Sequence, residues 1–275
     1  MKALRRLLGR TSATGAEDPP MPDRLTYAVG DIHGCLDQLE QMLDEIERDA
    51  VGTPYHIVFL GDYVDRGPQS AGVLRLLHAL DTAAPPEAGS QAAPAGVTCL
   101  LGNHDFMMLD FIAEPEDGVN WLLVGGGETL MSFGIPHAGF LGTRGGELAQ
   151  RVAAQAAALA EAMGDDLIDW LANRPLWWQS GDLVAVHALT EPEKPMQEQS
   201  DATLLWARPA RNLAARGDGT WVVHGHTIVS EPTVRARHVN VDTGAFRGGP
   251  LTAAVFAPGE AVRFLPVHKA GDGLP

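Results

Sequence analysis

Leu25-Thr26-Tyr27-Ala28-Val29-Gly30-Asp31-Ile32-His33-Gly34 is an apolar run that stops at a glycine and delivers an aspartate and a histidine two residues apart. Five apolar or β-branched residues closed by a turn residue read as a buried strand. The pattern recurs twice. His56-Ile57-Val58-Phe59-Leu60 runs into Gly61-Asp62-Tyr63-Val64-Asp65-Arg66-Gly67, and Val97-Thr98-Cys99-Leu100-Leu101 runs into Gly102-Asn103-His104-Asp105. Between the strands, Leu36 to Arg48 carries apolar residues at 36, 39, 42, 43 and 46, which is helical spacing. Val73 to Leu80 reads as a second helix, and Ala83 to Gly96, rich in Ala, Pro and Gly, as a surface connection. A βαβαβ order implies a mainly parallel sheet covered by helices. Ligands of such sheets bind beyond the carboxyl ends of the strands, so the three polar clusters should converge on one crevice.

Outward from that core, Asn120 to Gly134 and Glu147 to Leu171 have helical patterns, with Gly125-Gly126-Gly127 as a bend. They read as a helical insert or flap over about 115–175. Short strands return at Leu183 to Val186, Trp221 to Val223, His238 to Val241, Leu251 to Phe256 and Ala261 to Val267. With no long helix between them they suggest a second sheet, antiparallel in part. The expected fold is α/β: two packed mixed sheets flanked by helices in four layers, one domain over 25–270. Residues 1–24 read as a flexible tail, in which Leu4, Leu7 and Leu8 can form at most a short amphipathic turn.

Composition narrows the function. Of 275 residues 45% are apolar and 20% charged, which supports a large core rather than disorder. No apolar run reaches the roughly 18 residues of a spanning helix, so stable membrane insertion is not expected. A net charge of −15 argues against a nucleic-acid surface. Two cysteines, Cys35 and Cys99, are too few for a disulfide scaffold and suit the cytoplasm. Nothing in the sequence fixes the oligomeric state.

The strand-end clusters carry the chemistry. On an extended segment Asp31 and His33 face the same side and offer one oxygen and one nitrogen to a metal. Asp62 has two oxygens and can bridge two cations. Asn103 adds a neutral oxygen, and two further histidines follow later strands, in Val186-His187 and His224-Gly225-His226-Thr227. This mixed set suits Mn foremost, then Fe, Zn, Co or Ni, and Mg or Ca less well. Without a thiolate it does not resemble a structural zinc site. Singly, each piece has a plainer reading. A lone Asp-x-His is usually turn chemistry, and a glycine-flanked Asp is usually a cap. The ordered set at successive strand ends is what tells.

The stretches GDIHG, GDYVDRG, GNHD, VAVH, LLWAR, HGHT and VDTGA, spread over 30–246, resemble the phosphoprotein phosphatase family of calcineurin-like metallophosphoesterases, its bacterial and phage serine/threonine phosphatases in particular. The resemblance implies two divalent metal ions, with Asp31 and His33 on the first, Asp62 bridging, and Asn103, His187 and His226 on the second. It implies that Arg66 and Arg208 hold the phosphate, with Asn103 and His104 beside it. It makes His104 the proton donor to the leaving group and Asp65 its orienting partner, around a metal-bridging hydroxide that attacks phosphorus in line. The physics agrees: paired cations acidify water, arginine forks match phosphate oxygens, and a histidine held by a carboxylate delivers a proton.

Two departures stand out. Asp105 replaces the family's usual Glu, and His187-Ala188-Leu189 lacks the family's usual Gly or Asp, which is expected to reshape the rim. His224, Asp242, Cys35, Trp177 and Trp178 read as supporting residues, Asp242 as a brace for the His226 loop. The resulting expectation is a phosphomonoesterase acting on phosphorylated serine, threonine or tyrosine in proteins, or on small phosphate esters. The alternative is a dinucleoside tetraphosphate hydrolase, against which the acidic residue at Asp65 weighs. A phosphate-binding protein without catalysis is a third reading, opposed by the intact Asp65–His104 pair.

Overall fold

A computed structural model describes residues 18–84, 94–137 and 145–269. Most of the expected tail, most of the 83–96 connection and the last residues of the chain lie outside that range. Strands β1 (Leu25–Val29), β2 (Tyr55–Phe59) and β3 (Gly96–Cys99) pair in parallel. Their crossovers are α1 (Leu36–Ala50) and α2 (Ser70–Thr82). Helices α3 (Asn103–Ala113), α4 (Val119–Trp121), α5 (Gly127–Ser132), α6 (Gly146–Met163) and α7 (Asp165–Ala172) follow. The second sheet holds β4 (Trp177–Ser180), β5 (Leu183–Val186), β6 (Trp221–His224), β7 (Thr233–Arg235) and β8 (His238–Asn240), with α8 (Asp201–Trp206) on the way. Strands β9 (Leu251–Phe256) and β10 (Arg263–Val267) close the chain.

The sheet orders are β10-β9-β1-β2-β3 and β4-β5-β6-β8-β7. Here the sequence reading needs correction. The last two strands do not join the second sheet: β9 pairs antiparallel with β1 and completes the first. The second sheet is antiparallel only at its margins, β4 with β5 and β7 with β8, and parallel in its centre. Strands β4 and β7 escaped notice because they are short and half-buried or exposed edges with no clear alternation. The long alanine-rich helix is two helices, broken where Gly164 takes φ 76°.

Period-two alternation sorts the side chains of the first sheet. Tyr27, Val29, Ile57 and Phe59 point into the helical layer, against Leu39, Met42 and Ile46 of α1 and Leu74 and Leu77 of α2. Ala28, Val58 and Leu60 point the other way, against Ala185, Val223, Val239 and Val241 of or beside the second sheet. On that sheet's outer face Val184, Val186 and Val222 meet Leu204 of α8. Each large apolar side chain so buried stabilises the fold by about 1.5–3 kcal/mol. The described part of the stretch expected as an insert or flap is mostly helical, and Trp121, Leu130, Leu159 and Trp170 pack into the same core as β1. The layering leaves one place where the carboxyl ends of β1, β2, β3, β5 and β6 come together, and the site lies there.

Candidate metal centre and catalytic dyad

The loops after β1, β2 and β6 at this edge are bent sharply. Among the described residues eight non-glycine residues have positive φ, and five of them are His33, Asp62, Asp65, Arg66 and His226. Left-handed backbone at side chains of this size is strained and persists where surroundings over-determine it. The surroundings are hydrogen bonds between loops. His33 N donates to Asp62 O at 2.8 Å, Gly34 N to Tyr63 O at 2.9 Å, and Gly225 N to His187 O at 2.9 Å. Gly225 is required by close approach: a Cβ there would stand 1.9 Å from Asp31 Oδ1.

Asp105, noted above only as a departure, fastens the Asp62 loop. Its carboxylate accepts the backbone N–H groups of Asp62 (2.8 Å), Tyr63 (2.9 Å), Val64 (3.3 Å) and Gly102 (3.0 Å), and it is fully buried. Ala188 and Leu189, at the second departure, are buried as well, whereas Glu193, Lys194 and Pro195 after them are exposed.

Four of the six expected ligands, His33, Asp62, His187 and His226, fall into two groups that share Asp62, and the first group also takes in His104, expected as the proton donor. His33, Asp62 and His104 offer donor atoms within 4.8 Å of one another, as do Asp62, His187 and His226. His33 Nε2 lies 3.4 Å from Asp62 Oδ2, and His187 Nε2 lies 3.5 Å from Asp62 Oδ1, so the two carboxylate oxygens face opposite groups. Asn103 Oδ1 sits 2.8 Å from both His187 Nε2 and His226 Nδ1. Asp31 stands at the edge. Its carboxylate accepts the His226 backbone N–H at 3.1 Å and lies beside Asp242, outside the His33 group. Asp242 accepts from Gly244 N at 3.1 Å, and its carbonyl accepts from Val229 N beyond the His226 turn.

The tautomers follow from the outer contacts. His33 Nδ1 meets Val64 O at 2.7 Å and His187 Nδ1 meets Leu60 O at 2.9 Å, so both rings turn an unprotonated Nε2 inward. Imidazoles braced this way by carbonyls are the usual metal-binding arrangement. Burial keeps them neutral, with His33 down to about 3, His226 to about 4, and His187 lowered too. The Asp62 carboxyl is held low against its burial by His187, His104 and His33. Unshared electron pairs of His187 and Asn103 thus face each other at hydrogen-bond distance with no proton between them. A cation resolves that conflict, and the donor set fits a divalent one.

Beside the shared carboxylate lies the dyad. His104 Nδ1 donates to Asp65 Oδ2 at 2.6 Å. Burial opposes a charge on His104, but Asp62 and Asp65 outweigh it and its pKa is raised. The Arg66 guanidinium lies 2.8 Å from His104 Nε2 and 3.2 Å from His33 Nε2, and 4.7 Å from the centre of the Phe246 ring. Phe246 also meets the His33 ring edge to face, with ring centres 5.1 Å apart. No sequence signal had singled it out. Asp62, Arg66, Asn103, His104, His226 and the exposed Arg208 line one chamber of about 230 Å³. Met107, Val124 and Trp206 complete its wall. His224 is buried, its Nδ1 on Gly225 O.

The sequence profile of the calcineurin-like phosphoesterases matches residues 25–230. The chain belongs to that family. Members of this metallophosphoesterase family use a dinuclear divalent metal centre, and the two groups joined at Asp62 are this chain's candidate for it. Among its relatives, the symmetrical bis(5'-nucleosyl)-tetraphosphatase of Janthinobacterium sp. is 29% identical over 272 residues, covering 83% of this chain and 91% of that protein. Serine/threonine-protein phosphatase 1 of Salmonella typhimurium is 30% identical over 243 residues, covering 84% and 91%. The cold-active protein tyrosine phosphatase of a psychrophilic Shewanella shares the fold with a TM-score of 0.53 at 18% identity, over 86% of this chain and 78% of that one. The chain is therefore a phosphoesterase enzyme. Among the described residues no helix is long and apolar enough to cross a membrane.

Proposed function

We propose that this phosphoesterase is a phosphomonoesterase acting on phosphorylated serine, threonine or tyrosine side chains of proteins. The observation that carries the reading is the 2.6 Å bond between His104 and Asp65. With Nδ1–H committed to Asp65, Nε2 is the ring atom that faces a substrate. An alkoxide leaving group of high pKa departs poorly without a proton, and a histidine held by a buried carboxylate supplies one. Arg66 and Arg208 border the same chamber and are placed to fork onto phosphate oxygens, where charge gathers in the transition state. Asp31, His33, Asp62, Asn103, His187 and His226 would hold two divalent ions, Mn²⁺ by the donor chemistry. Bound there, the pair would supply an acidified water and a template for the phosphoryl group.

A second reading is hydrolysis of dinucleoside tetraphosphates, favoured by the name of the Janthinobacterium relative. A polyphosphate is a better leaving group than an alkoxide and has less need of the dyad. The deciding experiment compares kcat/KM on a phosphoserine peptide, a phosphotyrosine peptide and a dinucleoside tetraphosphate, with Mn²⁺ present. The expected result is at least tenfold preference for a phosphopeptide. Preference for the dinucleotide would replace the first reading with the second.

A further inference from the structure

The dyad has a third layer, built by a part of the chain far from it in sequence. Asp65 is fully buried, and its carboxylate faces four contacts. His104 Nδ1 takes Oδ2. The indole Nε1–H of Trp121 donates across both oxygens, at 2.9 Å and 2.8 Å. The Thr129 hydroxyl donates to Oδ1 at 2.8 Å and accepts from the Asp65 backbone N at 2.8 Å. Trp121 and Thr129 are buried as well. Burial alone would drive the Asp65 carboxyl toward its neutral form, and His104, Thr129 and Trp121 oppose that.

Trp121 and Thr129 reach Asp65 together because the helix that carries them is bent. Between α4 and α5 the chain kinks at Gly125, which takes φ 129° and ψ −1°. The kink lays backbone against the loop. Gly125 O accepts from Arg66 N at 3.4 Å, and a Cβ on Gly125 would stand 2.8 Å from that nitrogen. A Cβ on Gly126 would meet the Trp121 ring at 2.5 Å. Both glycines are thus needed for the segment to close on Asp65 and Arg66, whose own φ values of 75° and 67° are left-handed. A carboxylate in strained backbone, aimed at one histidine nitrogen, keeps that aim only if its other electron pairs are occupied.

We propose that Trp121 and Thr129 are positioning residues for leaving-group protonation, holding the Asp65 carboxylate so that His104 presents Nε2 to the substrate oxygen. The proposal rests on the reading of His104 as proton donor. It assigns a catalytic consequence to the stretch Trp121-Leu122-Leu123-Val124-Gly125-Gly126-Gly127, which the sequence marks only as a helix with a bend.

The test uses the full-length protein with Mn²⁺ and a series of aryl phosphates running from para-nitrophenyl to phenyl, with a phosphoserine peptide as the poorest leaving group. The variants are Trp121→Phe, Thr129→Val and Thr129→Ser. Trp121→Phe keeps an aromatic ring beside Phe111 and removes the N–H along with part of the indole bulk, whereas Thr129→Val removes the hydroxyl at nearly constant volume. Thr129→Ser keeps the hydroxyl. The expected result is a kcat lower by about tenfold or more on phenyl phosphate and the peptide, with less than about threefold change on para-nitrophenyl phosphate and little change in KM. The slope of log kcat against leaving-group pKa should steepen, and Thr129→Ser should restore the wild-type slope. Combined with Asp65→Asn, Trp121→Phe should add little, because the two act through one group. Equal losses on all substrates, or full additivity with Asp65→Asn, would overturn the proposal and leave the proton-donor reading in place. An unchanged slope in His104→Asn would remove that reading, and the proposal with it.

Discussion

At the scale of single residues, the site separates three jobs that activity alone cannot tell apart. Arg66 touches His33 and His104, whereas Arg208 borders the same chamber and its charge bears on His226. Neither belongs to the expected ligand set. Arg66→Ala and Arg208→Ala should therefore keep their metal by elemental analysis while losing about 2–4 kcal/mol of transition-state stabilisation on a monoester, the usual effect of deleting one charged donor. Full activity in both would refute the phosphate clamp. His104→Asn should lose on the order of a hundredfold to ten-thousandfold on phosphoserine and far less on para-nitrophenyl phosphate. Asp65→Asn should follow it more mildly, since it disturbs only aim and charge. Loss of metal in His104→Asn would make it a ligand, a role its nearness to His33 and Asp62 keeps open to measurement.

At the scale of elements, the start of α3 does more than carry Asn103 and His104. Asp105 accepts four backbone N–H groups, three of them from the loop that presents Asp62. Asp105→Ala would strand those donors in a buried place, at about 1–3 kcal/mol for each that finds no other partner. The expected loss of stability is at least about 3 kcal/mol in urea unfolding, with weakened metal binding. A variant within about 0.5 kcal/mol of wild type would mean that the loop holds itself. The roles of Asp105, Trp121 and Thr129 were not legible in the sequence for a shared reason. Each depends on contacts tens of residues apart, 56 positions for Trp121 and 64 for Thr129. The strands β1, β2 and β3 were legible because each announces itself locally, by an apolar run closed with glycine. The run Leu251 to Phe256 is apolar at nearly every position and says that a strand is buried, but not which sheet takes it or in which direction.

At the scale of the whole molecule, the candidate ligands come from both sheets. Asp31, Asp62 and Asn103 follow β1, β2 and β3 of the first sheet, and His187 and His226 follow β5 and β6 of the second. The centre therefore spans the seam where Ala28, Val58 and Leu60 meet Val223 and Val239. It also concentrates buried acid: burial raises the Asp31 pKa, with the charges of Asp242 and Asp62 adding to it, and burial together with Asp62 pushes Asp242 up to about 6. Like charges gathered in a buried place repel, and divalent cations among them turn that repulsion into attraction. Metal should consequently act as a clamp between the sheets as well as a cofactor. A ligand that binds only the folded state adds about 2.7 kcal/mol at a hundred times its Kd. In a chain of this size that corresponds to a Tm roughly 5–10 °C higher. Calorimetry after chelation, and again after adding back Mn²⁺, should show that rise, growing with the metal concentration. Elemental analysis of the reloaded protein should find about two equivalents. Asp62→Asn, which weakens the shared ligand, should lose most of the rise, whereas Arg208→Ala should keep it. A Tm that ignores both chelator and metal would show that the sheets hold the site without help, and a single equivalent would reduce the centre to one ion.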